Sequence, residues 1–145
     1  MNVMTSRRTE KYLPVMQAER ALEHLGVKGA AFEQRDVENQ SWFADWDGVL
    51  ADSDVYIGIM GGSPEGKTVR VLLDDWTFDG VPADHLEEFL KQIFCGHARI
   101  KKERSFLILS SHVLHVSAGA TSHSAGRDFR PDGELVPWER RLVSG

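Results

Sequence analysis

Apolar residues recur at three distinct rhythms along the chain. Val15, Ala18, Leu22 and Leu25 stand three and four apart, with Gln17, Glu19, Arg20, Glu23 and His24 between them. That spacing predicts an amphipathic helix. Pro14 suits its first turn, where a missing N–H costs nothing, and Gly26 suits a left-handed end. A second helix is predicted from Pro82, with Leu86, Phe89, Leu90, Ile93 and Phe94 on one face and Gly96 closing it. Asp84, Glu87 and Glu88 fall near its positive end. Between the helices the rhythm shortens. Val55–Met60 is apolar and partly β-branched, and Thr68–Leu73 alternates, so both read as strands. The turn-rich residues 61–67 join them as a long-looped hairpin.

The remaining stretches are less periodic. Ala30–Val37 alternates weakly and suits an edge strand. Ser41–Leu50 is aromatic and acidic, and its pattern leaves a short helix and a loop both open. Ala98–Lys102, Phe106–Leu109 and Val113–Val116 suggest two or three further strands. Residues 117–134, rich in Ser, Gly, Ala, His and Asp, read as a long mobile loop. Leu135–Val143 returns to order around Trp138. Residues 1–9 read as a loose polar leader. Helices and strands do not alternate regularly, so the expected fold is α+β: one domain over 10–145, a mainly antiparallel sheet, and two amphipathic helices packed on one face.

Composition narrows the class. A chain of 145 residues with one cysteine has no internal disulfide and no cysteine-based zinc finger. Its longest apolar run is four residues, too short to span a membrane. Arg7 and Arg8 are followed by no apolar segment of the kind a secretory signal carries. A cytoplasmic protein is the expectation.

Two short motifs suggest phosphate chemistry. Gly61-Gly62-Ser63-Pro64-Glu65-Gly66-Lys67-Thr68 matches the phosphate-loop pattern G-x-x-x-x-G-K-T. In that pattern a helix opens at the end of the loop and its N–H groups hold phosphate. Here the following residues read as a strand. Asp45-Trp46-Asp47-Gly48-Val49-Leu50-Ala51-Asp52-Ser53 resembles the first motif of the haloacid-dehalogenase-like phosphatases. The resemblance implies Asp45 as nucleophile, Asp47 as general acid/base, and a Mg²⁺ ion. No lysine follows Lys102 to supply that family's third motif.

The histidines and nucleophiles form no set. His112 and His115 are three apart in a predicted strand and so point to opposite faces, with His123 in the loop beyond. His24, His85 and His97 are isolated. No metal and no cofactor is expected. Ser110 and Ser111 lie beside His112 without a nucleophile elbow. Cys95, next to Phe94, is expected to be a small buried group.

Charge then changes the picture. The net charge of −5 is ordinary, but residues 36–88 hold 13 acidic side chains against only Lys67 and Arg70. Both flanking stretches are mildly basic. Asp45, Asp47, Asp52, Asp54, Asp74, Asp75 and Asp79 are interleaved with Trp42, Trp46, Tyr56, Trp76 and Phe78. Aromatic contact area within a field of one sign suits a basic protein partner. The sign disfavours direct nucleic-acid binding. The expected function is therefore a non-enzymatic protein-binding domain. The nearest class is a small acidic cytoplasmic inhibitor, such as a bacterial toxin-immunity protein that covers a nuclease-like toxin. Its expected partner-binding residues are Trp42, Asp45, Trp46, Asp47, Asp52, Asp54, Asp74, Asp75, Trp76 and Asp79. The alternative is a Mg²⁺-dependent phosphate-handling enzyme built on Asp45 and Asp47 or on the loop at 61–68.

Overall fold

A computed structural model describes residues 10–105 and 108–143. The expected leader at 1–9, and Phe106 and Leu107 of the expected strand at 106–109, lie outside the described residues. Helix α1 (Leu13–His24) buries Val15, Ala18, Ala21 and Leu22. It closes on Leu25 and Gly26, whose φ of 95° is the left-handed conformation glycine adopts freely. Helix α2 (Leu86–Phe94) follows a 3₁₀ turn, Ala83–His85, and buries Leu86, Phe89, Leu90, Ile93 and Phe94. The two helices pack on each other, and α2 lies against the second sheet. The Gln17 side-chain oxygen of α1 accepts the Glu87 N–H (3.0 Å), one of the first-turn donors that α2 cannot satisfy itself.

Among the described residues, eight antiparallel strands form two sheets. The first has the order β1 (Glu33–Asp36), β2 (Trp42–Leu50), β3 (Ser53–Gly61), β4 (Thr68–Leu73), β5 (Trp76–Pro82). The second has the order β6 (Arg99–Ser105), β7 (Ile108–Ala118), β8 (Thr121–Asp128). A short helix α3 (Pro137–Arg140) and a parallel bridge between Ile100 and Val143 bring the last described residues back to β6. One apolar cluster joins the inner faces of both sheets and both longer helices, with Trp42, Ile57, Val71, Phe78, Phe89 and Leu114 among its members. The α+β class with a mainly antiparallel arrangement is as expected.

Three local expectations change. Of residues 41–50, whose pattern leaves a helix and a loop both open, Trp42–Leu50 form β2, with Trp42 and Ala44 inward and Asp45 and Asp47 outward. Residues 117–134 are largely strand: β7 runs to Ala118, and Thr121–Asp128 pairs with it residue by residue as β8. Their polar composition misled because β8 turns only Ala125 into the core. Register with β7 carries the strand. Cys95 is exposed at the end of α2, one position past the buried stripe that ends at Phe94.

Candidate functional site

The outer side of the five-stranded sheet is open. Strand alternation turns Phe43, Asp45, Asp47 and Val49 of β2 outward, and Asp54, Tyr56, Gly58 and Met60 of β3 beside them. Register sets Asp47 opposite Tyr56, Asp45 opposite Gly58, and Val49 opposite Asp54. Gly58 has a specific role: a Cβ there would lie 3.2 Å from the Tyr56 hydroxyl. Its bare backbone lets the Tyr56 ring lie along the sheet and donate its hydroxyl to Asp45 Oδ2 at 3.1 Å. Burial first, and the Asp45 hydrogen bond second, push the Tyr56 phenol above its usual range. Arg35 of β1 reaches the same Asp45 oxygen at 3.4 Å and lies 5.3 Å from the centre of the Phe43 ring.

Two shallow depressions flank this group. One, of about 390 Å³, is lined by Glu33, Arg35, Asp45, Asp47 and Tyr56 among others. Its neighbour, of about 420 Å³, is lined by Asp47, Asp54, Tyr56 and Asp74 among others. Asp47 and Tyr56 form the ridge between them. Asp47 and Asp54 are exposed and, among the described residues, their carboxylates make no hydrogen bond or ion pair. Val49 is 67 % exposed and Met60 38 %. The face therefore combines apolar area with two uncompensated carboxylates.

Of the other expected partner-binding residues, Trp46 and Asp74 reach the walls of the depressions and the rest lie elsewhere. Trp42 and Trp76 are buried in the core and offer no contact area. Trp42 donates to the Ser63 carbonyl at 3.1 Å. Trp46 is half-buried beside Phe32. Asp74 takes the Tyr56 N–H (2.9 Å) on one oxygen and the Trp138 indole N–H (3.0 Å) on the other. Asp75 takes Arg127 (2.6 Å) and also Arg130. Burial alone would raise the Asp75 pKa, but the two arginine bonds outweigh it and hold the carboxyl below its usual value. The Trp76 indole donates to Glu139 (2.8 Å) under the Arg127 guanidinium, 4.3 Å from the ring centre. Asp52 pairs with Arg141, and Asp79 with Arg70, both at the surface. The structure thus brings Asp45, Asp47 and Asp54 together, with Asp74 at the edge of the second depression, and ties Asp75 and the buried Trp76 to Arg127 and Glu139. Phe43, Val49 and Met60 were not expected at the site. Their signal was the two-residue alternation of Asp45 and Asp47 with Trp42, Ala44 and Trp46, which marks a strand with one wet face.

Both phosphate motifs lose their geometry. Thr68 begins a strand, so no helix N-terminus faces the loop at 61–67. Asp45 sits mid-strand in an antiparallel sheet, engaged by Tyr56 and Arg35. The described residues hold no group of three or more His, Cys, Asp or Glu side chains placed to share a metal ion. His112 and His115 do point to opposite faces of β7, one fully buried and the other half-buried. No described helix is long and apolar enough to cross a membrane. No protein-family model, curated protein or solved structure matches the chain.

Proposed function

We propose that the chain is a non-enzymatic protein-binding domain that captures a basic partner on the outer face of its five-stranded sheet. Within that class, a small acidic inhibitor of the toxin-immunity kind fits best. One observation carries this: Asp47 and Asp54 stand exposed with unpaired side chains beside Tyr56 and Val49, with Phe43 and Met60 further along the same face, while Arg35 and Arg70 there are engaged by Asp45 and Asp79. The face has net negative potential where it is apolar enough to adhere. The carboxylates would raise the association rate, and the apolar residues would hold the complex.

The experiment is affinity capture from the native cell with three proteins: wild type, Asp47→Lys/Asp54→Lys, and Asp84→Lys as a control in the exposed 3₁₀ turn before α2. Wild type and control are expected to retain one basic protein. The double variant is expected to lose it by tenfold or more, as about 1.4 kcal/mol of lost coupling gives. Raising salt should weaken wild-type binding through the on-rate. Retention by the double variant, or binding indifferent to salt, would overturn the proposal.

A further inference from the structure

His112 in β7 is completely buried, and neither ring nitrogen has a hydrogen-bond partner among the described residues. Such a group calls for an explanation. Register places it between Lys102 of β6 and Arg127 of β8, so all three side chains share one face of the sheet. The Phe129 ring lies 4.9 Å away. The charged groups facing it are Lys102 from β6, Arg127 from β8, Asp132 from the 3₁₀ turn Asp132–Glu134, and Glu139 from α3. Both carboxylates are already engaged. Asp132 pairs with Lys102 at 3.5 Å. Glu139 takes Arg127 and the Trp76 indole on one oxygen and the Val136 N–H on the other. An imidazolium here would find two cations in line and no free anion.

We propose that His112 is an acid-sensitive latch: neutral, it lets residues 129–143 close over the second sheet, and protonated, it forces that segment off. Burial first, then Arg127 and Lys102, hold its imidazole below the ordinary histidine value of 6.5, which agrees with the geometry. An unfolded imidazole takes its proton near 6.5 and the folded one only at lower pH. The latch is therefore whole above 6.5 and is lost as pH falls through the folded value. Among the described residues the released segment carries five ties to the first sheet: Arg141 to Asp52, Arg130 to Asp75, Glu139 to the Trp76 indole, Trp138 Nε1 to Asp74, and the Trp138 N–H to Ser53 Oγ. Those ties hold the β2–β3 and β4–β5 turns that frame Asp54 and Tyr56. Weaker partner capture in acid follows. Only this last step rests on the proposed partner face.

The test uses the free protein. Amide-exchange protection factors are followed from about pH 7.5 to about pH 5 in wild type, His112→Phe and Lys102→Met. In wild type, protection across 129–143 is expected to fall roughly tenfold per pH unit below the histidine range, one proton being taken up on opening, and to fall before that of β2 and β3. His112→Phe should abolish this regional slope. Lys102→Met should shorten it, because the imidazolium loses a repelling neighbour and gains Asp132, so the folded value rises toward 6.5 and less protection is lost. Identical slopes in wild type and His112→Phe would overturn the latch. If His112→Phe does not fold, the wild-type ring is titrated by NMR, and a His112 midpoint at or above 6.5 overturns it equally. No partner is involved, so failure of the latch is distinct from failure of the docking proposal.

Discussion

Three glycines decide where the large aromatic side chains lie. A Cβ on Gly61 would stand 2.2 Å from the Trp42 indole nitrogen, and one on Gly48 would stand 2.6 Å from the Trp46 ring. Gly58 accommodates Tyr56 in the same way. Each ring lies flat on bare backbone, which a methyl group would lift away. This explains why two phosphate motifs were legible in the sequence without their chemistry. Gly61 of the apparent phosphate loop is there for Trp42, and Gly48 of the apparent phosphatase motif is there for Trp46. Gly61→Ala is expected to destabilise the fold by about 2–3 kcal/mol, because a buried indole must move. Gly62→Ala, with nothing within 4 Å of the added carbon, should change stability by less than about 0.5 kcal/mol. Urea unfolding midpoints compare the two directly. Equal effects would mean that the loop, rather than the seat for Trp42, sets the requirement.

At the level of elements, the β4–β5 turn, β8 and α3 are tied by charged groups, of which Arg127 and Glu139 are buried together. Glu139 is 2 % exposed and receives Arg127 and the Trp76 indole at once. Glu139→Ala would leave the Arg127 charge with only Asp75 beside it and is expected to cost about 3–5 kcal/mol by chemical denaturation. Asp79→Ala removes a pair whose side chains are both more than half exposed, and should cost less than about 1 kcal/mol. Sequence pattern shows none of this, since ties such as Trp76–Glu139 join residues 63 apart. What pattern does show is local. β4 was expected over Thr68–Leu73 and occupies those residues, because turn residues bound a clean alternation on both sides. The stripe of α1 was equally plain, and the structure puts the helix at Leu13–His24. β5 went unrecognised although Trp76 and Phe78 point inward and Thr77 and Asp79 outward, since its acidic aromatics suggested a surface. β8 went unrecognised because a strand at the margin of the core has few apolar residues to spend on a pattern.

For the whole molecule, the asymmetry of charge along the chain becomes largely internal once the chain folds. Arg127, Arg130 and Arg141 from the basic final stretch reach Asp75 and Asp52 of the acidic middle, and Arg20 reaches Glu87. The candidate site was therefore half legible. The acidic segment was visible, but which carboxylates stay uncompensated depends on where distant arginines land. Acid should reveal this arrangement in two stages. Below the ordinary histidine range the His112 contribution goes first, joined by that of His123, which burial and then His85 also hold low. The second stage belongs to Asp75. Its folded pKa lies below the ordinary carboxyl value of 3.8, so its contribution is whole above 3.8 and is lost as pH falls through the folded value. Asp75→Asn should flatten this lower stage in a pH series of thermal midpoints while leaving the upper one in place. An unchanged lower stage would mean that the arginine contacts add nothing. The parallel bridge from Ile100 to Val143, with the Ser53–Trp138 and Asp52–Arg141 contacts spanning 85 and 89 positions, also sets a timetable. Contacts so distant along the chain form late, because their loop entropy must be overcome before they reward it. During synthesis the first sheet must wait with Ser53, Asp74 and Trp76 short of their partners until residues 136–143 leave the ribosome, so a sheet made early is completed by a segment made well after it.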